Sequence, residues 1–193
     1  MKRRCTNQIK EQEITNRQQQ MEFKMLASQI NPHFLYNTLE TIRMKSLTAG
    51  NREVATAIKL LGKSMRYVLE NTGTASTTLK KEMDYIETYL SIQKLRFHER
   101  VNYQIQIEPE TDISEFQILP LLLQPIVENA ILHGLEGVEE NGRIIIHIWT
   151  KDDEYLCIDI FDNGEGMTAE ELEEMIWNMN NHDKASSDSI GLY

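Results

Sequence analysis

The chain has 193 residues, 30 of them acidic and 20 basic, for a formal net charge of −10. That balance argues against non-specific nucleic-acid binding, which needs a basic surface, and no apolar run approaches the roughly 18 residues of a membrane span. At 40% hydrophobic and 26% charged, the composition is ordinary for a soluble protein, and the length allows one or two domains with their own cores. Cys5 and Cys157 are far apart and form no disulfide or ligand pattern, which suits a reducing cytoplasm. No signal-peptide pattern is present. Lys2-Arg3-Arg4 fits a point just inside a membrane, and equally the start of an expressed segment.

Residues 6 to 29 are polar, with sparse apolar positions at Ile9, Ile14, Met21, Met25 and Leu26 and no Pro or Gly. They read as a long polar helix or coiled-coil entry, with a frayed tail as the alternative for the first 15. The apolar phase changes at Pro32, so a bend in the helix is expected there. Beyond it Leu35, Leu39 and Ile42 recur at helical spacing and mark one buried stripe. At about 100° per residue, His33 points roughly away from that stripe, and Asn37 and Glu40 share its face. An exposed neutral imidazole can act as a nucleophile, although a lone surface histidine is more often only that.

This helix should end near Leu47, with Thr48-Ala49-Gly50 as the turn and Asn51 as the next N-cap. Val54, Ile58, Leu61, Met65 and Val68 then form a heptad seam. Two helices joined by a short turn make a hairpin, and two hairpins packed as a four-helix bundle would bury both seams. Asn71 to Ser76 read as a loop. A third helix follows, its apolar face broad: Leu79, Met83, Ile86 and Leu90, with Tyr85, Tyr89 and Ile92 beside them.

From Val101 the period becomes two: Val101, Tyr103, Ile105 and Ile107 alternate with polar residues, a half-buried strand. Residues 108 to 116 read as an acidic loop. A helix over 125–133, with Pro125 in its first turn, turns Val127, Ala130 and Ile131 inward and stops at Gly134. Strands over 143–150 and 155–162 flank a turn, and Asp162 falls in phase with Leu156, Ile158 and Ile160 at the end of an apolar face. Thr168-Ala169-Glu170-Glu171 is a capping box opening a short helix. Residues 178 to 189 read as a flexible lid, with Met175, Trp177 and Met179 as its packing.

Three features combine. Asn129, sharing a helical face with His133, offers an amide oxygen suited to Mg²⁺ carried by a nucleotide's phosphates. Asp162, in Asp162-Asn163-Gly164-Glu165-Gly166, offers a carboxylate to an exocyclic amine such as that of adenine, and the glycines permit close backbone approach. Each alone is weak. His133 reads better as a helix-end cation on the dipole than as a ligand, and Glu128 reads evenly as a phosphate-side base or a solvated residue. Together, in this order and around a β-hairpin, they resemble the N box and first glycine box of the GHKL ATP-binding fold, shared by histidine kinases and gyrase-type ATPases. Leu121 to Gly134 (LLLQPIVENAILHG), Gln29 to Leu39 (QINPHFLYNTL) and Thr88 to Phe97 (TYLSIQKLRF) are similar to sensor histidine kinases of the LytS/YesM type.

The resemblance implies an α+β chain: a helical linker over about 1–19, a dimerisation and histidine phosphotransfer hairpin over about 20–98, and an incomplete GHKL α/β sandwich over about 99–193. It implies that His33 is the phosphoacceptor and that ATP and Mg²⁺ are bound; Asn37, one helical turn after His33, is placed where an amide could position a water against a regulator's aspartyl phosphate. Asn129 would be the metal ligand, Asp162 would hold adenine, and Gly164, Gly166 and Gly191 would shape the pocket. Ser189 stands where the second glycine box usually begins with glycine, and that box is expected to be cut short at Tyr193. The implied partners are a second copy of the chain and a response-regulator receiver domain, on the cytoplasmic side of a membrane to which the full-length protein is anchored. Phe34 follows His33 where most histidine kinases have an acid that orients the ring. Two rivals remain. A GHKL ATPase of the gyrase branch needs a glutamate four residues before the asparagine, where this chain has Pro125. A non-catalytic dimeric scaffold is kept open by Ser189 and Phe34.

Overall fold

The computed structural model describes residues 31–71, 74–135, 138, 140–151 and 155–181. The expected polar helix over 6–29, most of the lid segment and the stretch around Gly191 lie outside them. The fold is α+β, and the described chain forms two compact units. One holds the residues up to Ile92 together with Gln117–Pro120; the other holds Gln93–Phe116 and the residues from Leu121 onward.

In the first unit, α1 (Pro32–Thr48) begins where a bend was expected. Asn31 is extended, at φ −73 and ψ 102, and its side chain accepts the Phe34 N–H at 3.2 Å. Pro32 therefore opens a helix instead of bending one. It lacks the N–H that a first-turn residue could not use anyway. Gly50, at φ +76, turns the chain, and Asn51 caps α2 (Arg52–Asn71) by accepting the Val54 N–H at 3.1 Å, as expected.

The stripe is not buried as expected, and the seam, whose burial was expected from a second hairpin, is open in the single chain. Leu35 and Leu39 are half-buried, Ile42 is 45% exposed, and Val54 and Leu61 are 41% and 45% exposed. Ala55 is the one buried residue on the two helices among the described residues. Two helices in antiparallel contact cover only the strips that face each other, so the rest of each apolar face stays open.

Helix α3 (Leu79–Phe97) supplies the core of this unit. Leu79, Met83, Tyr85, Ile86 and Leu90 are buried, which is the broad face its spacing predicts. Glu82 is buried with them. It accepts a hydrogen bond from the Tyr67 hydroxyl of α2, and the Tyr67 ring stacks on Tyr85 at 4.5 Å. Burial first, and then the neighbouring Glu82 carboxylate, raise the Tyr67 phenol above its ordinary range, so it remains a donor. An antiparallel ladder that the sequence did not announce pairs β1 (Thr77–Thr78) with β3 (Gln117–Ile118). With two residues a side, it has no period to read.

In the second unit, β2 (Val101–Ile107), β4 (Gly142–Lys151) and β5 (Tyr155–Asp162) form a sheet in the order β2-β4-β5. β2 and β4 are parallel; β4 and β5 are antiparallel. A parallel pair needs a long crossover, and this one contains α4 (Gln124–Asn129). Ile144, Ile146 and Ile148 of the central strand are fully buried, as is Val127 of α4, and Leu123, Ala130 and Ile131 beside it are buried. Each such side chain contributes about 1.5–3 kcal/mol by leaving water. Helix α5 (Ala169–Asn181) opens with the expected capping box: Thr168 Oγ1 accepts the Glu171 N–H at 3.3 Å, and the Glu171 carboxylate accepts the Thr168 N–H at 2.8 Å. The Thr168 N–H holds the Glu171 carboxyl below its ordinary range. The helix is longer than expected and takes in residues 178–181, which had been assigned to a lid. Met175 is half-buried and Trp177 is 65% exposed, and most of the lid they were expected to pack against lies outside the described residues. The Met179 side chain lies outside the described residues.

Tyr67→Phe removes the hydroxyl donor to a buried carboxylate. It should cost about 1–3 kcal/mol, read as a lower urea midpoint with an unchanged slope. An unchanged midpoint would show that this hydroxyl contributes nothing to holding α2 on α3.

Candidate functional site

His33 lies in the first turn of α1 and is exposed, as its phase predicts. One turn further on, the Asn37 side-chain amide comes within 3.2 Å of His33 Nδ1 and 3.4 Å of Nε2. Glu40, on the same face, is held by Arg43 through two hydrogen bonds, which lower its carboxyl below the usual range. Phe34 is 65% exposed and brings no polar atom to the ring.

The second unit gathers the other candidates. Leu121 takes φ +59 just ahead of α4, a conformation that costs a bulky residue strain. Pro125 sits in the first turn of α4, as expected. Gln124 Nε2 donates to Glu128 Oε1 at 2.6 Å, so Glu128 is held by its own helix. Asn129 is half-buried and ends the regular α-turns. The expected α-helix over 125–133 does not continue. Residues Ala130–Gly134 form a π turn, with Leu135 N–H donating to Ala130 O at 3.1 Å. Such wide turns recur at functional sites. The shared face proposed for Asn129 and His133 assumed α spacing, which the π turn replaces. The His133 side chain lies outside the described residues.

Asp162 ends β5, half-buried, with Oδ1 accepting the Gly164 N–H at 2.9 Å. The tightest contact in this region is with Gly134. A Cβ on Gly134 would lie 2.7 Å from Asp162 Oδ1, and a Cβ on Gly164 would lie 1.7 Å from the Gly134 carbonyl oxygen. Glu165 N–H donates to that same carbonyl at 3.3 Å. Asn163 joins the loop to the start of β4: its Oδ1 accepts the Arg143 N–H at 2.6 Å, and its Nδ2 donates to Asn141 O at 3.1 Å. Gly166 takes φ +70 with open space where a Cβ would go.

The structure thus joins His33 to Asn37, and Asp162 to Gly164. Asn129 reaches the second group along the chain, through the π turn that ends at Gly134. The sequence reading missed Gly134 and Asn163. Gly134 was taken only as a helix stop, and nothing in its neighbours announces that Asp162 will pack on its Cα. Asn163 was read as part of a turn, yet its amide binds two backbone groups. Gly191 lies outside the described residues.

Two family profiles match the chain: Histidine kinase over residues 21–101, and Histidine kinase-, DNA gyrase B-, and HSP90-like ATPase over residues 117–192. The sensor histidine kinase YesM of Bacillus subtilis is 34% identical over 164 residues. The chain belongs to the LytS/YesM type of histidine kinases. The sensor protein LytS of Staphylococcus epidermidis is 32% identical over 79% of the chain, and the sensor histidine kinase BtsS of Escherichia coli is 35% identical over 75%. The match to YesM takes in 82% of this chain but 28% of that protein, and those to LytS and BtsS take in 25% of theirs, so the chain spans about a quarter of these histidine kinases. Among the described residues no helix is long and apolar enough to cross a membrane.

The two loop glycines, Gly164 and Gly166, should respond differently to a methyl group. Gly164→Ala drives a Cβ into backbone and should unfold the loop or abolish adenine-nucleotide binding. Gly166→Ala meets open space and should cost about 1–2 kcal/mol, for its left-handed conformation alone. Thermal unfolding and nucleotide titration of both variants check this, and equal effects would contradict the geometry.

Proposed function

We propose that this chain is the catalytic region of a two-component sensor histidine kinase, which transfers the γ-phosphoryl group of ATP to His33 and then to an aspartate of a response-regulator receiver domain. The observation that carries the reading is His33 itself: exposed in the first turn of a capped helix, within the segment matched to histidine kinases. The hairpin holding it belongs to a phosphotransfer and dimerisation part over about residues 20–98. The ATP-binding part covers about 99–193, after a linker over about 1–19.

The nucleotide fits the second unit. Asp162 Oδ1 is committed to the Gly164 N–H, and the other carboxylate oxygen can accept from the adenine amine. The close backbone packing of Gly134, Gly164 and Asp162 offers a base a flat floor with no intervening side chain. Gly166, and Gly191 of the second glycine box, would shape the rest of the pocket. Asn129 would hold Mg²⁺, which supplies charge neutralisation to the phosphates. His33 attacks the γ-phosphorus in line with a ring-nitrogen lone pair. The P–N bond forms as the bond to the leaving oxygen breaks. That electron pair goes to ADP, and the ring's remaining proton passes to solvent. In the second transfer the receiver carboxylate displaces the imidazole, which takes a proton back. Asn37, beside the ring, would align a water when the aspartyl phosphate is hydrolysed.

The exposed stripe of α1 and seam of α2 support a homodimer in which two hairpins pair as a four-helix bundle. The reading also has the region at the cytoplasmic side of the cell membrane, supported by relatives named as sensor proteins.

In the full-length protein, incubated with γ-labelled ATP, His33→Gln should abolish acid-labile label on the chain while leaving dimerisation and nucleotide binding intact. Label retained on the variant would refute the phosphoacceptor assignment. Asp162→Asn should lower ATP affinity roughly tenfold or more, the worth of a charge-assisted hydrogen bond, and weaken discrimination against guanine nucleotides. Calorimetry showing unchanged affinity and selectivity would mean that Asp162 does not read the base.

A further inference from the structure

The ring of His33 needs a partner that fixes its tautomer, because a neutral imidazole has one protonated nitrogen and one with an open lone pair. Phe34 cannot be that partner. Glu40 is held by Arg43, and the Thr38 and Thr41 hydroxyls donate to the Phe34 and Asn37 carbonyls of their own helix. Among the described residues, Asn37 is the side chain whose polar atoms reach the ring.

We propose that Asn37 sets the tautomer of His33: its amide oxygen accepts the Nδ1–H, and the Nε2 lone pair is left facing solvent. This rests on His33 being the phosphoacceptor. Helical side chains lean toward the N-terminus, so Asn37 reaches back over the preceding turn to His33. Asn37 Nδ2 lies 3.2 Å from Nδ1 and 3.4 Å from Nε2, straddling the edge of the ring and nearer Nδ1, and a half-turn of the amide puts Oδ1 in its place.

Oxygen and nitrogen of an amide exchange places by a half-turn, so the chemistry of the ring decides which atom faces it. An amide N–H donated to Nδ1 would occupy that lone pair and leave Nε2 protonated, and neither nitrogen could attack. Donated to Nε2, it would cover the outward lone pair. The amide oxygen on Nδ1–H is the arrangement that leaves an accessible nucleophile. As the P–N bond forms at Nε2, the electron pair of the breaking P–O bond leaves with ADP. The ring becomes a cation that still carries Nδ1–H, and the same oxygen then accepts more strongly. Asn37 is in this respect a positioning residue.

The test uses the chain labelled with ¹⁵N at histidine, at a pH where the rings are neutral, with the His33 signals identified by their loss in His33→Gln. Two-bond ¹H–¹⁵N correlations distinguish the tautomers. The expected wild-type result is Nδ1–H at His33. Asn37→Ala should lose that preference, and Asn37→Asp should keep it. In the full-length protein, Asn37→Ala should form phosphohistidine roughly three- to tenfold more slowly, the net worth of one hydrogen bond, with KM for ATP unchanged, and Asn37→Asp should recover the rate. A wild-type ring that is mainly Nε2–H, or a tautomer unchanged in Asn37→Ala, overturns the proposal. Label surviving in His33→Gln overturns the phosphoacceptor reading instead, and the spectra distinguish the two failures.

Discussion

Gly134 and Gly164 lie backbone against backbone, and the second unit is arranged around that contact. No residue with a Cβ fits at Gly164, because the atom would fall 1.7 Å from the Gly134 carbonyl oxygen. The approach brings the end of the α4 segment to the end of β5, and it lets Glu165 donate to Gly134 O. It also leaves the Asp162 carboxylate resting on a Cα. Asn163 then carries the constraint to the start of β4 through its two amide bonds. Three segments are thereby held by backbone packing and side-chain amides, with no ion pair needed.

The first unit is built on a different principle. Its core lies on α3, and its most constrained polar group is Glu82, buried and bonded to Tyr67. The proposed phosphoacceptor, His33, is on α1, none of whose residues is buried. The proposed chemistry thus sits on the least covered helix of the unit among the described residues, and the inner helix carries no candidate site residue. Such a division suits a group proposed to meet two different phosphoryl partners. Exposure lets each approach, while the Asn31 cap and Pro32 fix the first turn that presents the ring.

What could be read in the sequence had local causes. The Asn51 cap, the Gly50 turn, the capping box at Thr168 and the strands over 143–150 and 155–162 each depend on residues a few positions apart, and each stands in the structure. What could not be read was non-local or lacked a period. The β1–β3 ladder is two residues long, and the π turn has the same apolar spacing as an α-helix over one turn. The Gly134 contact joins positions about 30 residues apart by the absence of side chains, and absence leaves no pattern. The stripe on α1 failed as a burial forecast for another reason. Periodicity reports that a face is apolar but not how many elements cover it. In the candidate site, the His33 face was legible from helical phase, whereas the Asn37 contact with its ring needed coordinates.

The π turn has a consequence for how this segment can change in length. Ala130–Gly134 closes through a bond that spans five residues, one more than an α-turn. That extra residue delivers Gly134 to Asp162 at the correct rotation. Loss of one residue between Asn129 and Gly134 would let the turn close as a regular helix and carry everything after it about 100° around the axis. Side chains can vary where they face outward, as Leu132 does at 47% exposure. The count of residues cannot, so insertions and deletions should be excluded from this stretch even where substitutions are tolerated.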